Sequence, residues 1–231
     1  CRWYTGSGIY RSVQLIQKDF NDIQSVRVTT LSVKPAKIKV DILSQSHPYV
    51  EIYDGAILLY KGEAGEIELK DVKLWNVENP YLYKCVVRTD KDCEEIKFGI
   101  RKVEIIPRQG LFVNGEKTLL RGGCIHSDNG ILGACSFKEA EYRKVRILKQ
   151  AGFNAIRCAH NPCSRYFLRA CDELGMFVMD EAFDGWYIPK EYHDYSRDFY
   201  SDYEFTLTRM VEKDYNHSCV IMQRSIGNGR G

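Results

Sequence analysis

The chain has 231 residues, enough for one large or two medium domains and for a sizeable core. Its 33 basic and 31 acidic residues leave a net charge of +2, which gives no electrostatic attraction to nucleic acid or to an anionic membrane. With 44% hydrophobic and 28% charged residues the composition is that of an ordinary globular protein, and no apolar run approaches the roughly 18 residues of a membrane-spanning helix.

The first residue is Cys1 rather than Met, so the missing signal peptide says nothing about a leader. From about residue 11 to 106 the chain alternates polar and apolar residues with the period of a strand. Ser12–Ile16, Val26–Thr29, Ile38–Ile42 and Val50–Tyr53 are short and rich in β-branched residues, and each is bounded by Pro, Asn, Asp or Gly. Asp54-Gly55 is a hairpin signal. Glu66–Leu69, Leu82–Val87 and Glu95–Phe98 continue the pattern. About seven short strands at this spacing predict a β-sandwich of immunoglobulin-like size, without the Cys–Trp–Cys arrangement of an antibody domain.

After Pro107 the period changes. Thr118–Gly123 reads as a strand, and Phe137–Gly152 as a helix with Ser136 as N-cap and Gly152 closing it. A strand (Asn154–Cys158), a helix (Ser164–Leu174, stopped by Gly175) and a strand (Met176–Asp180) follow. A helix near 202–215 and the strand Val220–Met222 complete the order. Strand, helix, strand predicts parallel pairing through right-handed crossovers. The choice lies between half of an eight-stranded (β/α)8 barrel and a small doubly wound sheet. No glycine-rich phosphate loop follows any strand, so the barrel is preferred, and with it the expectation that the barrel's second half is absent.

In a parallel barrel, chemistry gathers at the carboxyl ends of the strands. Those ends read Cys124–Gly130 with His126 and Asp128; Arg157–Pro162 with His160 and Asn161; Asp180–Asp184; and Ser225–Asn228. A ring of Arg, His, carboxylate and amide groups suits a polyhydroxylated ligand, whose hydroxyls need both donors and acceptors. Taken singly, each residue has a plainer reading. Asp128-Asn129-Gly130 makes a simple turn, His160-Asn161-Pro162 caps a helix, and Asp180 and Glu181 pair with Arg157 for structure alone. Trp186 and Tyr187 would stack on a sugar or pack in the core. His126, His160, Asp180, Glu181 and Asp184 lack any tight metal-ligand spacing, so no metal or other cofactor is expected. The nine cysteines form no C-x-x-C pair and read as reduced core thiols, which favours a reducing, cytoplasmic compartment.

The motifs resemble glycoside hydrolase family 2, which includes β-galactosidases, β-glucuronidases and β-mannosidases. Trp3–Arg11 looks like the segment joining that family's jelly roll to its sandwich. Leu74-Trp75-Asn76-Val77-Glu78-Asn79-Pro80-Tyr81 is similar to the sandwich signature, and Phe98-Gly99-Ile100-Arg101 to the barrel entry. Leu120–Gly123, Ile156–Pro162 and Cys171–Asp184 are similar to barrel motifs. The resemblance spans essentially the whole chain in family order. It implies the end of a jelly roll and linker over 1–16, an immunoglobulin-like sandwich over 17–106 and the amino-terminal half of a TIM-barrel catalytic domain over 107–231.

It also implies retaining hydrolysis of a terminal β-glycosidic bond, most closely a β-galactoside, by two glutamates roughly 5 Å apart. The partner implied is an oligosaccharide or β-glycoside, and a full-length parent would form a homo-oligomer. The family's acid/base glutamate directly follows the Asn of its Ser-Ile-Gly-Asn motif. Here Gly229 stands in that place, Gln223-Arg224 replaces the family's Trp, and the nucleophile belongs to a later strand. The implied reading is a truncated or frame-disrupted form of a longer enzyme, inactive alone and prone to associate. A natural non-catalytic carbohydrate-binding or adhesion module is the alternative. His160 and Asn161 would contact sugar, Arg157 would orient the nucleophile, Asp184 and Asn228 would bind hydroxyls, and His126 and Asp128 would line the mouth.

Overall fold

The computed structural model describes residues 8–18, 23–184, 187–189, 192–193 and 195–224. Two compact units emerge, one of residues 14–119 with 215–218, the other of the chain up to Val13, Leu120–Asp214 and the residues from Cys219 on.

The first unit is an antiparallel sandwich. Strands β1 (Ser25–Val33), β2 (Ala36–Leu43) and β5 (Gly65–Leu69) form one sheet in the order β1-β2-β5. Strands β3 (Tyr49–Asp54), β4 (Ile57–Glu63), β6 (Tyr83–Arg88) and β7 (Cys93–Phe98) form the other in the order β4-β3-β6-β7. Alternation decides what goes inside. In β2, Ala36, Ile38 and Val40 are buried, and the residues between them are half-exposed. Ile38 and Val40 join Val50, Ile52 and Cys85 from the other sheet in one apolar core. The hairpin expected at Asp54-Gly55 is present, with Gly55 in the left-handed region (φ 58°) and Asp54 paired to Ile57.

Trp75 is fully buried, and its backbone N–H donates to the Ile100 carbonyl at 2.9 Å. A Cβ on Gly99 would lie 2.5 Å from Trp75 Cβ, so the chain approaches the indole too closely for any side chain there.

Two sequence expectations fail in this unit. Ser12–Ile16 alternates in sequence yet forms no strand; Val13, Leu15 and Ile16 are exposed and no neighbouring strand takes up their backbone groups. Conversely, β8 (Val103–Ile106), β9 (Gly110–Val113) and β10 (Glu116–Lys117) form a small antiparallel sheet that the sequence reading did not anticipate. Its turns use left-handed Arg108 and Asn114 rather than glycine alone.

The second unit is parallel. Strands β11 (Gly122–Ile125), β12 (Ala155–Cys158), β13 (Phe177–Glu181) and β14 (Val220–Arg224) lie side by side in chain order. Helices α1 (Lys138–Gln150), α2 (Arg165–Leu174) and α3 (Phe199–Asp214) connect them. The strand expected at Thr118–Gly123 starts later, because its partner begins only at Ala155, opposite Gly122. Before that point the Arg121 N–H donates to the Asn154 side chain at 2.6 Å instead. A Cβ at Gly122 would fall 2.0 Å from the Ala155 carbonyl oxygen, whereas one at Gly123 would meet nothing.

Helix α2 carries the caps its sequence promises: Ser164 accepts from the Phe167 N–H, and left-handed Gly175 closes the far end. Ser136 is not the N-cap of α1. Phe137 occupies that position with no side-chain bond, and the Ser136 hydroxyl instead donates to the buried Glu141 carboxylate at 2.7 Å.

Candidate active site

The parallel register sorts the polar residues by face. Partners across parallel strands point the same way, and successive residues point oppositely. Cys124, Arg157 and Met179 are aligned across β11, β12 and β13, so they share one face, and Glu181, two residues beyond Met179, joins them. Gly123, Ile156 and Val178 mark the other face, to which Cys158 and Asp180 belong by the same alternation. Asp180 and Glu181 are therefore neighbours in sequence that serve opposite sides of the sheet.

Glu181 is the hub of the first face. Its carboxylate is fully buried, yet it accepts from Arg157 Nε and lies 3.3 Å from His160 Nδ1. The guanidinium neutralises a charge that burial alone would make costly. In return the carboxylate, against the smaller opposing effect of desolvation, raises the Arg157 pKa still further. Arg157 Nη1 also reaches Cys124 Sγ at 3.4 Å.

His160 Nδ1 stands 3.6 Å from Asp184 Oδ1 as well, so two carboxylates face the same ring nitrogen. The Nδ1 edge of the His160 ring therefore faces Glu181 and Asp184 together. The His126 ring lies against His160, with centroids 5.5 Å apart and planes at 58°. The Ala159–His160 peptide bond is cis.

Arg11 secures this loop from behind, donating from Nη2 to the Pro162 carbonyl at 2.7 Å. Below Arg157 the same sheet face opens into a hollow of about 230 Å³ lined by Gly122, Cys124, Arg157, Phe177, Met179 and Ile221.

The structure thus brings Arg157, His160 and Asp184 together around Glu181, with His126 stacked beside them. Asn161 is exposed and borders a small cavity shared with His126 and Arg11. Asp128 does not join the group in any contact the structure records; its carboxylate accepts from the Gly130 N–H at 2.8 Å and so serves its own turn. Tyr187 is exposed, its ring against that of Tyr200. Asn228, Gly229 and Trp186 lie outside the described residues.

The residue left out of the sequence-derived set is Glu181. Its signal was available: it follows Asp180 at a strand end, and counting by twos places it on the face of Arg157.

On the opposite face Asp180 is pushed up to about 7, chiefly by burial and then by the adjoining Asp214 carboxyl. The two roles of the Asp180-Glu181 pair are chemically distinct. One carboxyl is paired with Arg157 and His160, and the other is disposed to hold a proton.

Comparison with known proteins places the fold in a family. Residues 14–101 match the model for glycosyl hydrolases family 2, and residues 103–231 match the model for that family's TIM barrel domain. A β-galactosidase of Bacteroides ovatus is 34% identical over 98% of this chain and 30% of its own length. A putative β-glucuronidase of Formosa agariphila is 29% identical, with 98% and 24% covered. Among solved structures, a glycosyl hydrolase family 2 member from Bacteroides cellulosilyticus superposes with a TM-score of 0.84 at 36% identity, over 99% of this chain and 33% of that one. The chain therefore spans about 30% of the length of the curated β-galactosidase it matches. With an immunoglobulin-like sandwich leading into a partial TIM barrel, and with both family models matched in order, the chain belongs to glycosyl hydrolases family 2.

Proposed function

We propose that this chain supplies part of the sugar-binding rim of a retaining β-glycosidase, with a terminal β-galactoside as the preferred substrate class. The observation that carries the reading is the Glu181 hub, which holds Arg157, at the edge of one hollow, and His160 on the same carboxylate. His160 Nε2 would accept from a sugar hydroxyl, while Asp184 would accept from another. Arg157 would present its remaining N–H donors to a carboxylate or sugar oxygen, and Glu181 acts as a positioning residue behind both. Asn161 and Asp128 would contact hydroxyls at the periphery, and Asn228 would hold the 2-hydroxyl. Galactose is favoured because several similar relatives carry the name β-galactosidase.

The bond-breaking step itself is not assigned to these residues. Retaining hydrolysis needs two carboxyl groups astride the glycosidic oxygen, and the position where the family pattern sets its proton donor is Gly229. Binding without turnover is the expected behaviour of the 231 residues. A carbohydrate-binding module working through the sandwich is the weaker reading. Of the two aromatic residues that could form its ledge, Trp75 is fully buried and Tyr81 is half-buried.

Calorimetric titration with methyl β-galactoside, beside the glucuronide and mannoside, tests the proposal. Saturable binding that falls at least about tenfold in His160→Ala would support it, that loss corresponding to about 1.4 kcal/mol. Binding indifferent to His160, or none to any of the three sugars, would refute it.

A further inference from the structure

On the helix-covered face of the parallel sheet, away from the Glu181 hub, lies a cluster that the sugar reading does not use. Cys158 ends β12, Cys163 directly precedes the α2 cap Ser164, and Asp180 lies in β13. Their ligand atoms, two thiol sulfurs and a carboxylate oxygen, all lie within 4.8 Å of one another. Both the Cys163 N–H (3.3 Å) and its thiol (3.5 Å) donate to Asp180 Oδ1. The other oxygen, Asp180 Oδ2, is buried with no hydrogen-bond partner, and so is Oδ2 of the adjoining Asp214. Asp180 and Asp214 are 0% and 1% exposed, so neither orphaned oxygen is satisfied by bulk water. In the unloaded chain the proton that Asp180 is disposed to hold can be shared with Asp214, so it is the closeness of the two sulfurs and the carboxylate oxygen that points to a ligand.

We propose that Cys158, Cys163 and Asp180 form a three-ligand binding site for a thiophilic divalent cation of the zinc class. Around such an ion, sulfurs at about 2.3 Å and oxygens at about 2.0–2.2 Å stand roughly 3.5–3.8 Å from one another, so the observed cluster needs only a small contraction. Two thiolates with a carboxylate select a borderline-soft ion over magnesium or calcium, which demand oxygen ligands. As the cation enters, each thiol gives its proton to the buffer and forms a metal–sulfur bond; no redox change is involved. Lys213 offsets the excess negative charge, with Nζ 2.5 Å from Asp214 Oδ1, and it also donates to the Cys163 carbonyl at 3.1 Å. The two cysteines bracket Ala159-His160-Asn161-Pro162, so the ion would fasten both ends of the loop that carries His160. The site does not depend on the sugar proposal, and its failure would leave that proposal standing.

The test is titration of the whole reduced chain, kept in a phosphine reductant, with cobalt(II) and then zinc(II). The expected result is one cobalt per chain in a tetrahedral spectrum with a thiolate-to-cobalt charge-transfer band, displaced by one equivalent of zinc. Cys163→Ser, at a half-exposed position, should weaken binding at least about tenfold and remove most of that band. Exchange of the exposed Cys93 and Cys124 for Ser should leave it unchanged. Asp180→Asn, checked for folding by circular dichroism, should weaken binding similarly. A folded, reduced wild-type chain without the band would overturn the proposal, as would a band that survives in Cys163→Ser or disappears with Cys93 and Cys124.

Discussion

The two units handle charge in opposite ways. In the sandwich, the buried glutamate Glu51 is served from the surface by Lys61 at 2.9 Å, Arg88 Nε at 3.3 Å and the Tyr53 hydroxyl at 3.0 Å, all reached from strands of one sheet. In the parallel unit, Glu181 and Asp180 sit at a strand end with no exposure, and one of them keeps an unsatisfied oxygen. An antiparallel sheet with one wet face can send long cationic side chains over a carboxylate, and little depends on it. A parallel sheet covered on its faces must build each charge a dedicated partner, and such built sites are where binding and chemistry concentrate. Substitutions in the two units should differ accordingly.

The largest effect is expected at Glu181. Glu181→Ala removes the carboxylate between Arg157 and His160 and takes the charge partner from a partly buried guanidinium, at a cost of about 3 kcal/mol. Urea unfolding measures it; a loss below about 0.5 kcal/mol would show that Glu181 is not the hub. Next comes Gly122→Ala, whose Cβ would collide with the Ala155 carbonyl and cost about 2 kcal/mol, while Gly123→Ala should be nearly silent. Equal effects at the two glycines would contradict the register of β11 on β12. Ser164→Ala should cost about 1 kcal/mol through loss of the α2 cap.

The smallest effect belongs to Glu51. Its hydrogen bond from Lys61, aided by those from Tyr53 and Arg88 and opposed by desolvation, lowers its pKa below the ordinary 4.5. A depressed carboxylate adds stability that is present above its unfolded pKa and is lost as the pH falls through the folded one. Glu51→Gln should therefore flatten part of the acid limb of stability below about pH 4.5 and change little at pH 7. A stability deficit of the same size at both pH values would show that packing, not charge, is the contribution.

The sequence announced the fold wherever local chemistry and tertiary pairing agreed. Ser164 and Gly175 bounded α2 correctly because both caps are local, and the alternation in β2 and β3 survived because each has a partner strand on both sides. It misled where pairing overrode pattern. Ser12–Ile16 has strand composition and no neighbour. Thr118–Arg121 waits for a β12 that begins at Ala155. Ser136, a good cap by type, is claimed by Glu141. The sheet of β8, β9 and β10 was hidden because its strands are short and two of its turn positions hold Arg108 and Asn114 rather than glycine.

The site was legible in part. Arg157, His160 and Asp184 share a rim that their positions at strand ends foretold. Asp128 was recruited by its own turn, as short acidic residues before glycine often are. Glu181 escaped because it was weighed with Asp180 as one feature, although the two point to opposite faces.

The most direct test of that division is imidazole-nitrogen NMR of His160, with and without methyl β-galactoside. The account predicts a proton on Nδ1 facing Glu181, ring-nitrogen resonances that shift on adding the sugar, and a changed Nδ1 resonance in Glu181→Gln. A ring protonated at Nε2, or one unmoved by the galactoside and by the Glu181 exchange, would contradict it.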